Sequence, residues 1–122
     1  MLQRVKDLEV ILEENIMTYK DWNIQEVTGY EPKTTFYMDF SIAEPFGVDS
    51  IQETYDTAFE EWKGNVEFVT ELVMVLNWKM WEHYQTNEKL ARLYEKLWWK
   101  VQDWCYNNLK GDDLAYFIRT TD

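Results

Sequence analysis

The sequence predicts a mainly α-helical single domain: a small helical bundle built on a long antiparallel helical hairpin, with an irregular or short β segment between the first two helices. Three observations lead there. Two consecutive segments, near residues 66–85 and 87–110, carry apolar residues at alternating spacings of three and four, the period of one helix face. The chain is poor in breakers, with four Gly and two Pro in 122 residues, and both prolines fall in the one stretch without helical periodicity. Aromatics make up 17% of the residues, seven of them Trp. Each buried aromatic removes roughly 150–250 Å² from water, so a chain of this length can build a core without disulfides.

Each element rests on local signals. Leu2, Val5, Leu8, Leu12 and Ile16 lie on one stripe of an N-terminal helix over about residues 2–16, within a first unit of residues 1–17. Residues 18–49 form the irregular or extended unit. There Phe36, Met38, Phe40 and Ile42 alternate with Tyr37, Asp39 and Ser41, a period of two that favours an extended segment, either a short pair of strands or a packed loop. Ser41-Ile42-Ala43-Glu44 has the pattern of a capping box, but Pro45 limits any helix there to about one turn. The helical core spans residues 50–122. Ser50-Ile51-Gln52-Glu53 is a second capping-box pattern. It opens a helix over about 51–63, with Ile51, Tyr55, Ala58, Phe59 and Trp62 on one face and Gly64 behind it.

Asn65 can cap the next helix, where Val69, Val73, Leu76, Met80 and His83 make a stripe that Leu72 and Trp81 widen. Thr86 or Asn87 can cap the one after, with Leu90, Tyr94, Leu97, Val101 and Trp104 at the same spacing, flanked by Leu93, Trp98 and Cys105. A short link between two such stripes makes an antiparallel hairpin. Gly111 can close that helix and Asp112 can cap a last one over about 112–119.

The formal net charge is −11, unevenly spread. Residues 1–50 hold ten acidic and four basic side chains, residues 51–85 seven and two, and residues 86–122 six and six. An acidic surface repels phosphate, which disfavours direct nucleic-acid binding, and it attracts basic protein surfaces. No run of about 18 apolar residues is present to cross a membrane, and charges interrupt the apolar residues of the N-terminus where a secretory signal needs a continuous segment. With Cys105 as the one cysteine, the chain reads as a cytoplasmic protein.

Catalytic constellations are missing from the pattern. His83 is the one histidine. Di-iron carboxylate bundles need Glu-x-x-His on each of two helices, whereas Met80 stands three residues before His83. Ser41, Ser50 and Cys105 have no spacing to His83 that suggests a nucleophile and its base. The adjacent pairs Glu13-Glu14, Glu60-Glu61 and Asp112-Asp113 point about 100° apart on a helix and do not converge on one substrate atom. Lys89, Arg92, Lys96 and Lys100 are interleaved with Glu88, Glu95 and Asp103, a pattern of salt-bridged surface. No catalytic, cofactor-binding or metal-binding residue is therefore expected. The candidate partner-binding residues are Glu53, Asp56, Glu60 and Glu61, concentrated on one helix; the plainer alternative is a solvated face.

Four runs, "TTFYMDFSIAEPFG", "IQETYDTAFEEWKGN", "TELVMVLNWKMWEHY" and "NLKGDDLAYFIRTTD", span residues 34–122. Together they resemble a family of small, acidic, uncharacterised accessory proteins of bacteriophages and conjugative elements. The resemblance carries no catalytic motif and transfers no site residues. It implies an accessory gene of a mobile element, a setting in which small acidic proteins bind host proteins and some imitate DNA, as anti-restriction and anti-CRISPR inhibitors do. The expectation is a non-enzymatic protein that binds and inhibits a host or element protein with a basic surface, a nucleic-acid-handling defence complex being the sharpest version. The alternative is a self-associating helical module whose acidity serves only solubility.

Overall fold

The computed structural model describes residues 30–121, and in them every regular element is helical. Helix α1 spans Phe36–Ala43 and runs through a 3-10 turn, Glu44–Phe46, into α2, Val48–Trp62. Helices α3, Val66–His83, and α4, Glu88–Asn108, form the antiparallel pair with the most extensive contact, and α5, Gly111–Thr121, folds back onto α3. Helix α1 packs on α2 and α3. The mainly helical bundle built on a hairpin is thus the observed architecture. The expected N-terminal helix and residues 18–29 lie outside the described residues.

The starts of the hairpin helices obey the capping rule. Asn65 Oδ1 accepts from the Phe68 N–H at 3.1 Å, and Asn87 Oδ1 from the Leu90 N–H at 3.2 Å. Each satisfies one of the donors that a helix start leaves without an intrahelical acceptor. The stripes meet as their spacing requires: Val69, Leu72, Val73 and Leu76 of α3 and Tyr94, Leu97, Val101 and Cys105 of α4 are all buried. Burial pushes the Cys105 thiol up to about 12, which leaves it a packed, unreactive group. Aromatic edges lock the helices together. Phe40 of α1 meets Tyr94 edge-on at 5.7 Å, Phe59 of α2 meets Trp104 at 5.3 Å, and Trp62 lies 4.6 Å from Phe68.

Three local expectations are corrected. The alternating run from Phe36 to Ile42 is helix α1, not an extended segment. Its neighbours cover it on so many sides that Phe36, Tyr37, Met38, Phe40 and Ala43 are all buried. A short helix buried on several sides loses its 3.6-residue signature, and Asp39 and Ser41 then mimic a period of two. Neither capping box forms. Ser41 lies inside α1, with its hydroxyl on the Tyr37 carbonyl at 3.0 Å. Ser50 lies inside α2, which starts three residues earlier than expected behind Gly47 at φ 102°, a conformation that favours glycine over residues with a Cβ. Trp81, placed in the core stripe of α3, is 58% exposed.

Leu76 and Leu97 are fully buried at the centre of the α3–α4 seam. Leu76→Ala and Leu97→Ala should each destabilise the protein by about 2–5 kcal/mol, the range for a buried leucine whose cavity only partly collapses. Equilibrium urea unfolding measures this, and an unchanged midpoint in both variants would contradict the seam.

Candidate functional site

One face of α3 is polar where it meets α1. Glu71, Val75, Lys79 and Glu82 stand at successive spacings of four, four and three, which stack on one side of a helix. Glu71 is buried, and its two carboxylate oxygens accept four hydrogen bonds. Oε1 takes the Tyr30 hydroxyl at 3.0 Å and the Lys33 N–H at 2.7 Å; Oε2 takes the Thr34 N–H at 3.1 Å and the Thr34 hydroxyl. These bonds replace the hydration that a buried carboxylate loses. They tie the chain that enters α1 to the first half of α3.

The other end of α1 is tied by Lys79, whose side chain is fully buried. Its Nζ lies 2.8 Å from Glu44 Oε2, 2.9 Å from Ser41 Oγ and 3.1 Å from Glu82 Oε2. An ammonium has three donors, and three acceptors surround this one. The ring of Tyr37 lies 4.7 Å from the same nitrogen, and the Tyr37 hydroxyl donates to Glu82 Oε1. Glu44 Oε2 also meets His83 Nε2 at 3.0 Å and accepts from the Tyr94 hydroxyl at 2.7 Å, while the His83 ring stacks on Tyr94. Burial works to raise the Glu44 pKa, but the His83 hydrogen bond, the Lys79 charge and the remaining hydrogen bonds outweigh it and hold the value at about 2. Burial, then the Glu44 charge, drives the Tyr94 hydroxyl far above the ordinary phenol range.

This centre has the donor set of a metal site, since Glu44, Glu82 and His83 bring ligand atoms within 4.8 Å of one another. Lys79 changes that chemistry. Its ammonium stands among those same carboxylates as a built-in cation, so a divalent ion would have to displace a fully buried charge. An ammonium donating to three oxygens also has no lone pair with which to attack a carbonyl. Lys79 therefore acts as a structural cation that fixes the turn after α1.

The predicted partner-binding residues fall on α2, and all four are exposed. The structure separates them into two pairs. Asp56 accepts from Gln52 Nε2 at 3.0 Å, and Glu60 pairs with Lys63 at 3.0 Å. Glu53 and Glu61 instead line a groove of about 690 Å³ between α1, the 3-10 turn and α2. Its lining includes Phe36, Ala43, Ala58, Trp62 and Phe68, with Ile42 and Phe46 exposed beside them at 47% and 77%. A third carboxylate, Asp39 of α1, lines the groove as well.

Sequence pattern missed the Lys79 centre and the role of Asp39. One signal was present: Lys79 is the only Lys or Arg between Lys63 and Lys89, and it falls beside the apolar stripe of α3. A lone cation there needs a buried anion. No helix among the described residues is long and apolar enough to cross a membrane. Comparison with protein-family models, curated proteins and solved structures returned no match to this chain.

Lys79→Met should cost about 3–5 kcal/mol, because it leaves two partly buried carboxylates facing each other without their cation, and adding Glu44→Gln and Glu82→Gln should restore much of the loss. Urea unfolding of the single and triple variants measures both. Purified protein should hold no stoichiometric zinc or iron by elemental analysis; one metal per chain, lost in His83→Ala, would overturn the view of Lys79 as the resident cation. Glu44 titrates at about 2 when folded against an ordinary 4.5, so its contribution is complete above 4.5 and is lost as pH falls toward 2. That contribution is on the order of 3 kcal/mol, and in Glu44→Gln the corresponding part of the acid limb of stability against pH should be absent.

Proposed function

We propose that this chain is a non-enzymatic accessory protein of a bacteriophage or conjugative element that binds a basic protein in the cytoplasm of its bacterial host and inhibits it. A nucleic-acid-handling defence complex is the partner class that the acidic surface fits best. The observation that carries this reading is the exposed acidic side of α2, where Glu53 and Glu61 border the groove, Asp56 and Glu60 lie outside it, and only Glu60 of the four is ion-paired among the described residues. Exposed carboxylates in this arrangement act over distance. They accelerate encounter with a positive surface and weaken as salt screens them. The resemblance of residues 34–122 to mobile-element proteins supports the setting. Lys79 supports the non-enzymatic part, because it places a cation among the carboxylates of Glu44 and Glu82, in the cluster with His83 that among the described residues has the donor set of a metal site.

Self-association is the second reading. It draws on half-exposed Trp99 and Tyr106, seven residues apart on α4 and so near one line along the helix.

Replacing Glu53, Asp56, Glu60 and Glu61 together by Gln removes four charges at nearly constant shape. The fold should persist, since surface changes are usually within about 0.5 kcal/mol each. Immobilised wild-type protein should retain DNA-binding proteins from a bacterial lysate and release them with added duplex DNA. The variant should associate with the purified partner about 10-fold more slowly at low salt, with a flatter salt dependence. Equal association rates for the two proteins, or recovery of nothing but the chain itself, would count against inhibition by the acidic face and for self-association.

A further inference from the structure

The groove between α1 and α2 has a property that the acidic face alone lacks. It combines an apolar interior with charge of one sign: Asp39, Glu53 and Glu61 line it, and among the described residues no Lys, Arg or His does. By contrast, the cleft at the α3–α4 turn has Arg92 among its lining residues, ion-paired to Glu88 at 2.7 Å. Phe46, on the turn that Glu44 and Lys79 hold in place, is 77% exposed, and Ile42 one helical turn before it is 47% exposed. Two large apolar side chains held open beside a slot of about 690 Å³ are a surface that association would cover.

We propose that this groove is the docking slot for a short basic and apolar segment of the partner protein, which seats a bulky apolar side chain against Ile42, Phe46 and Trp62 and places lysine or arginine against Asp39, Glu53 and Glu61. The proposal rests on the reading of the α2 face as a surface for basic proteins and specifies what that partner must present. Charge complementarity selects the occupant. The chain's own residues 1–29 hold six acidic and three basic side chains, the wrong balance for a slot lined by three carboxylates. Spacing adds a constraint. Glu53 and Glu61 are eight residues apart, about 12 Å along α2, which a partner matches with cations about two turns apart on a helix or about four residues apart on an extended strand. Asp39 fits the same role. Burial raises its pKa against the opposing hydrogen bond from Thr35, so its charge lacks the compensation that a partner cation would supply.

Three synthetic peptides of about 14 residues, roughly 21 Å as a helix, test this on the full chain by amide chemical-shift mapping and titration. One carries Lys and Arg with Leu between them. The second has Ser in place of Leu, and the third has Gln in place of the basic residues. The first should bind at least about 10-fold more tightly than either of the others and shift the amides of Ile42, Phe46 and Thr57. Phe46→Ser, at a side chain already in solvent, should bring the first peptide down to the affinity of the second. Equal affinity of the first and second peptides, with shifts confined to Asp56 and Glu60, would overturn the slot while sparing the acidic-face reading. Tight binding of the uncharged third peptide would overturn the charge selection. Absence of binding by both basic peptides would remove the slot and the reading beneath it together.

Discussion

A buried ammonium surrounded by oxygen governs how the first half of the described chain is arranged. Removing a lysine charge from water costs several kcal/mol even after relaxation, and only well-placed acceptors offset it. The Lys79 Nζ has two carboxylates and a hydroxyl within 3.1 Å, with the Tyr37 ring beside it. Those groups come from α1, the 3-10 turn and α3, and Tyr94 of α4 closes the far side by donating to Glu44. Four elements must be in place together for the charge to be tolerated. An arrangement that separates these elements leaves the ammonium without the partners it has here.

Helix α1 shows how this constraint becomes geometry. Glu71 holds the residues entering it, and Lys79 holds the turn leaving it. The two anchors are eight residues apart on α3, about 12 Å, which is also the length of the eight-residue α1. A short helix of this kind has little stability of its own; here the helix beside it holds both ends. Pro45, Phe46 and Gly47, which follow the fixed Glu44, are exposed, and the groove lies between α1, this turn and α2. The apolar side of that groove and its carboxylates thus depend on a polar interaction on the opposite side of α1.

Legibility in the sequence tracked the number of sides on which an element is covered. Helix α4, exposed along one face, shows its stripe plainly from Leu90 to Trp104, and α2 shows its own from Ile51 to Trp62. Asn65 and Asn87 announced the helix starts because a cap acts between residues three apart. Helix α1 was illegible because burial on several sides leaves apolar residues at nearly every position. The two capping-box patterns misled for a related reason. Ser41 is drawn to the Tyr37 carbonyl and the Lys79 ammonium, Glu44 to Lys79, and Ser50 to the middle of a helix that Gly47 lets start earlier. The partner-binding quartet was legible as exposed charge, but its division into a groove pair and an outer pair was not, since that depends on where α1 lies.

By itself the sequence determined the helical class, the α3–α4 hairpin with its buried leucines, and the acidic charge balance of the first two thirds. Periodicity, caps and charge are local quantities, carried by residues at most a few positions apart. The tertiary structure alone decided that Tyr37, Ser41, Glu44, Lys79, Glu82, His83 and Tyr94 form one network, and that Asp39 joins Glu53 and Glu61. Bonded partners in that network are up to 50 positions apart, as Glu44 and Tyr94 are. No spacing rule reaches that far; the cost of burying one lysine charge is what brings them together.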